Sequence, residues 1–207
     1  MVRIGLASDS LGNVDALAVA FDIFARVNAD RIFFLGGRYA DVDAALARRD
    51  PAAMRAGDPA DFLSAVQGAL PRVASTPDHG LADRVTRVAS RACPEVALGA
   101  PLKVMDMLDG LLCCLVHDKA DLTRDDIGNA TLLFHGKSGE AALVQIGPRI
   151  FVTPGALGAP ADEARPASFA FLDLEPGELE LVVFSAEGAE LRRERASLAS
   201  GAKVSVK

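Results

Sequence analysis

Tryptophan is missing from this chain of 207 residues, tyrosine occurs once, and histidine and cysteine occur three times each. Three cysteines do not make a disulfide framework. Cys113 and Cys114 are adjacent in an expected strand and point to opposite faces. Cys93 stands alone beside Pro94. All three read as small buried hydrophobes in a reducing compartment. A basic excess is also missing: 22 Lys and Arg face 28 Asp and Glu, for a net charge of −6. That balance argues against nonspecific nucleic-acid binding and against attachment to an anionic membrane. The longest apolar runs, such as Leu111 to Val116, are far too short to cross a bilayer. No basic-then-apolar leader opens the chain, because Met1-Val2-Arg3 runs straight into a strand. A cytoplasmic protein is expected, without a nucleic-acid partner and without membrane insertion. Gly36-Gly37 lacks the rest of any phosphate-loop or dinucleotide fingerprint, and neither a G-x-S-x-G elbow nor a Cys-His pair is evident.

What is present suits a globular domain, with half the residues hydrophobic and 24% charged. One domain over residues 1–196 is expected, with 197–207 as a flexible tail. "VRIGLAS" reads as a buried strand, Asn13 as the cap of a helix with Val14, Leu17, Phe21 and Phe24 on one face, and "RIFFLGG" as a second buried strand. This unit predicts parallel neighbours with a right-handed crossover. "DPADFLSAVQGAL" predicts a helix, "RVAS" at 72–75 a third short strand, and residues 81–91 another helix. From Leu102 the chain predicts a series of strands, with hairpin turns at Asp109-Gly110 and at "EPGE". The fold class is therefore α/β: two stacked mixed β-sheets flanked by helices. In such folds functional residues sit in loops after the strands' carboxyl ends.

Taken in order, those loops read "DSL", "GGRYAD", "STPD", "LVHD", "HGKS" and "TPGA". Their order and strand context resemble the calcineurin-like metallophosphoesterases, in particular a small bacterial phosphodiesterase branch, whose motifs are D-x-H, G-D-x-x-D, G-N-H-D, H-G, G-H-T-H and N-P-G-S. The resemblance spans roughly residues 2 to 184 and implies a metallophosphoesterase-like α/β sandwich. It also implies a metal site that is mostly gone. Two cations about 3.5–4 Å apart need a bridging carboxylate with histidine, asparagine and aspartate donors on both sides. By resemblance, one ligand aspartate is Asp9, but its histidine companion falls on Leu11 and the bridging aspartate on Gly37. The ligand asparagine falls on Thr76 and the leaving-group acid on Pro77. One histidine is kept as His117, while the last two fall on Gly136 and Ser138. Asp9 and His117 would serve different cations, and neither keeps the three protein ligands of a catalytic zinc site.

Each leftover has a structural alternative. Asp9 can organise its turn with Asn13 through backbone N–H groups. His117 can be a hydrogen-bonded structural histidine. His135 should turn away from the cleft by strand alternation, and His79 should lie at the surface. Arg38 and Lys137 could attract a phosphate or carboxylate where a cation has been lost, or be solvated loop charges. The expected function is a non-catalytic phosphoesterase-fold protein without a cofactor, acting on a protein partner or on a second copy of itself. The competing readings are an anion-binding module built on Arg38 and Lys137, and a metal-dependent phosphoesterase using Mn or Zn in a rewired site of Asp9, His117 and perhaps His135 or Asp41.

Overall fold

The computed structural model describes residues 1–49, 80–158 and 166–198. Strand β1 (Val2–Ala7) leads through helix α1 (Val14–Arg26) to β2 (Arg31–Leu35), and the two strands pair in parallel with Leu6 opposite Phe33. Asn13 caps α1 by accepting the Ala16 N–H at 3.2 Å. Helix α2 (Tyr39–Arg48) follows.

The third parallel strand, β3, is Val85–Val88, with Leu35 opposite Val88. The helix expected over residues 81–91 is therefore a 3-10 turn (Ala82–Arg84) and a strand. The tetrapeptide Arg-Val-Ala-Ser occurs twice, at 72–75 and 87–90, and the first two residues of the second copy end this strand. The first copy and the helix expected at 58–70 lie outside the described residues, as does the tail from 199.

Next come β4 (Lys103–Leu108), β5 (Leu111–Val116), helix α3 (Arg124–Asn129), β6 (Leu132–His135), β7 (Ala141–Ile146) and β8 (Arg149–Pro154). The chain finishes with β9 (Ser168–Glu175), β10 (Glu178–Ser185) and β11 (Glu190–Ser197). Two mixed sheets result: β11-β10-β9-β1-β2-β3 and β4-β5-β6-β8-β7. The Asp109-Gly110 and 175–178 turns both join antiparallel neighbours.

Strand alternation builds three layers of packing. Ile4, Leu6, Phe33 and Leu35 point from the first sheet into the space between the sheets, where they meet Cys113, Leu115, Phe134 and Val152 of the second. Phe33 and Phe134 meet edge to face at 5.2 Å, and burying each ring contributes about 2 kcal/mol. On the outer side of the first sheet, Leu17, Phe21 and Phe24 of α1 cover Ala7, Phe34, Phe169 and Phe171. Gly5 permits this approach, since a Cβ there would meet the Phe24 ring at 2.6 Å. Cys113 faces the inter-sheet core and Cys114 the outer cluster. All three cysteines are free and buried. Burial pushes the Cys113 and Cys114 thiols up to about 12 and about 11, so neither is a ready nucleophile.

Candidate functional site

The carboxyl ends of β1, β2, β5, β6 and β8 gather their loops on one pole, and backbone bonds lace those loops together. The Asp9 N–H donates to Gly36 O at 3.1 Å, Gly158 N–H donates to Asp9 O at 2.7 Å, and Leu157 N–H donates to Ser8 O at 3.0 Å. Asp9 itself has a positive φ of 46°, which aspartate tolerates better than most residues.

The Asp9 carboxylate is fully engaged. Its Oδ1 lies 2.8 Å from His117 Nε2. Its Oδ2 accepts the Ser8 hydroxyl at 2.9 Å and the Lys137 backbone N–H at 2.9 Å. Burial pushes this carboxyl up, but the His117 hydrogen bond and charge, with Ser8 and Lys137, outweigh it and hold it below the usual range.

Glycines pack tightly beside this pair. A Cβ on Gly36 would meet His117 Cδ2 at 2.0 Å. One on Gly136 would meet Leu35 O at 2.0 Å and Ser8 Oγ at 2.5 Å. Real Cβ atoms do not approach so closely, so the backbone here is packed tighter than any residue with a side chain allows. Gly37, at φ 111°, has Phe34 and Ser10 where its side chain would begin. Gly37 and Gly136 fall where the resemblance places a bridging aspartate and a histidine.

The other residues of the first loop serve its own architecture. Asp41 is buried and accepts the Ser10 hydroxyl at 2.7 Å and the Gly12 N–H at 2.9 Å. Asn13 caps α1 and donates Nδ2–H to Leu157 O at 3.1 Å, tying the first loop to the last. Leu11, at φ 47°, is 69% exposed beside Gly158. The organising role of Asp41 was not evident in the sequence, because it depends on a contact across 29 residues.

Lys137 is exposed, and its ammonium pairs with Asp118. Arg38 is exposed at the start of α2, and among the described residues no carboxylate meets it. Of the two cations proposed to hold an anion, Lys137 is thus paired and Arg38 is not, among the described residues. Ser138 Oγ donates to Glu140 O at 2.8 Å. His135 is 3% exposed and follows Leu133 toward the outer side of the second sheet, away from Asp9. Burial lowers its pKa. The loop leaving β3 is 89–93, so the positions assigned to the asparagine and the acid shift from Thr76 and Pro77, which with His79 lie outside the described residues. In that loop the Cys93 thiol faces Gly37 O at 3.1 Å and also meets Glu95. Burial, with that Glu95 contact, raises its pKa.

The donors among the described residues do not make up a two-metal centre. Among the described residues no three His, Cys, Asp or Glu side chains are grouped to hold a cation. Among the described residues no serine hydroxyl bonds to His117. Ser8 is turned to Asp9 and Leu35 O, and Ser10 to Asp41.

No family model matches the chain, and no curated protein is similar to it in sequence. Solved structures do share its fold. A conserved predicted phosphoesterase from Streptococcus pneumoniae TIGR4 is 16% identical with a TM-score of 0.61, covering 95% of this chain and 97% of its own. Vps29 of Chaetomium thermophilum is 15% identical with a TM-score of 0.60 over 95% and 99%. The E. coli phosphoesterase YfcE is 18% identical with a TM-score of 0.57 over 93% and 98%. The C. thermophilum Vps29 also occurs in complex with a cyclic peptide. The chain thus has the calcineurin-like metallophosphoesterase fold over nearly its full length.

Proposed function

We propose that this metallophosphoesterase-fold protein is non-catalytic and works through contacts with another protein in the cytoplasm. The observation that carries this reading is the closed cleft. His117 is hydrogen-bonded to Asp9 and packed against Gly36, and the Gly136 backbone lies against Leu35, where the fold's enzymes require ligand side chains. Both Asp9 oxygens already have hydrogen-bond partners, His117 on one and Ser8 with Lys137 on the other. The peptide complex of the C. thermophilum Vps29 supports the interaction half of the reading, since it shows this fold binding a polypeptide. A rewired single-metal phosphoesterase would need His117 to leave Asp9 first.

Elemental analysis after incubation with Mn or Zn, run beside hydrolysis of an aryl phosphodiester, tests the proposal. Well under one metal per chain and no metal-dependent turnover are expected. A stoichiometric metal with turnover abolished by Asp9→Ala would overturn it.

A further inference from the structure

Among the described residues nine large apolar side chains are at least about a third exposed, and five of them lie on the outer side of the second sheet or on α3 above it: Met105, Met107, Ile127, Val144 and Ile146. The first sheet hides its outer side under α1 and α2, whereas α3 is only six residues long and covers the middle of the second. On the β7–β8 side of α3 an apolar strip is left open. Val144, 47% exposed, stands opposite Phe151, and Ile146, 61% exposed, stands opposite Arg149. The Arg149 guanidinium reaches across to α3, donating to Gly128 O at 2.7 Å and to Ile127 O. Arg149 thus joins the strip to the end of α3 that carries the exposed Ile127.

Two features select its occupant. The free edge of β7 is already partly capped, because Leu143 N–H donates to Glu194 Oε2 at 3.1 Å and Ala141 O accepts from the Arg192 guanidinium. An added strand would have to displace these side chains, and the strip itself lies on the face, so a partner covers it as α1 covers the first sheet. The charge at the strip is also one-sided. Lys103 is neutralised by Asp126 on the far side of α3, but among the described residues no carboxylate meets Arg149. We propose that Val144, Ile146, Phe151, Ile127 and Arg149 form a docking surface for an amphipathic α-helix of a partner protein, aliphatic on one face and carrying a carboxylate that meets Arg149. This surface is separate from the cleft and stands whether or not the cleft binds an ion.

Fluorescence anisotropy with labelled model helices of about 18 residues tests it. The first carries leucines at i, i+3, i+4 and i+7 with flanking glutamates, and the second replaces the glutamates by lysines. Saturable binding of the acidic helix is expected, with the lysine helix about tenfold weaker. Val144→Glu with Ile146→Glu should abolish binding. Arg149→Ala should weaken the acidic helix and leave the lysine helix unchanged, and it serves as the readout should the double variant lose its circular-dichroism signal. Equal binding by all variants, or no saturable binding, overturns the proposal. So does a wild-type dimer in sedimentation that the double variant splits, because a second copy would then hold the strip. Asp9→Ala should bind the acidic helix as wild type does, so failure of this surface and failure of the cleft reading appear in different variants.

Discussion

Strand β1 carries a long-range charged pair at each end, and the two pairs differ in kind. Near its start, Arg3 is 2% exposed and grips Asp173 through two bonds of 2.6 Å. The same guanidinium donates to Val27 O at 3.0 Å and lies over the Phe171 ring. It binds β1, β9 and the end of α1 into one body. Past the other end, Asp9 meets His117, a partner whose charge depends on pH, inside a shell of loops joined by backbone bonds. The first pair is built into regular structure. The second sits where the fold's enzymes keep their chemistry, and its neighbours are glycines packed to contact. Buried polarity thus does scaffold work at both ends, although only one end lies where such folds place function.

The sharpest way to break this comparison is at Arg3. Arg3→Met strands the buried Asp173 carboxylate, and urea unfolding should show a loss of about 3–5 kcal/mol. Arg3→Met with Asp173→Leu should recover most of it, because the cost lies in the uncompensated charge. At the cleft, Gly136→Ala places a methyl 2.0 Å from the Leu35 carbonyl, a loss of about 3 kcal/mol by overpacking. A loss below about 0.5 kcal/mol would show that the cleft is open after all. His117→Ala should cost about 2 kcal/mol, from the lost bond and the space left behind.

Acid distinguishes the ends further. The Asp9 carboxyl is held below its ordinary 3.8, so its contribution is whole above that value and is lost as pH falls through the lower folded value. Urea midpoints at about pH 6 and about pH 3 should therefore fall more for the wild type than for Asp9→Asn. The smallest effect belongs to Leu11, exposed in left-handed backbone. Leu11→Asn should raise stability by about 0.5 kcal/mol, seen as a rise of one or two degrees in Tm.

Local signals account for the parts of the fold that were legible. Asn13 before an apolar helical stripe, Asp109-Gly110 between two strand runs, and alternation within β6 each act over a few residues, and each element formed where its signal lies. Val85–Val88 departs from the expected helix, since Val85, Thr86 and Val88 are β-branched and pair with β2. Strand β11 also escaped notice. Its Arg and Glu residues resemble solvated tail until Arg193 and Arg195 meet Glu180 across the pairing with β10. Helix α3 is announced only by the Thr123–Asp126 capping box.

The sequence by itself determined that Leu11, Gly37 and Gly136 bring no side-chain donor to the cleft, because leucine and glycine carry no side-chain lone pair in any fold. It also determined the order of the strands along the chain. Only the tertiary structure decided that Asp9 and His117, 108 residues apart, bond to each other instead of facing an open hollow. The same holds for Asp41, which turns toward Ser10 and Gly12. The reason is steric and nonlocal. How closely two loops approach depends on the Cβ atoms that are absent from both, and a sequence does not show which absences will meet.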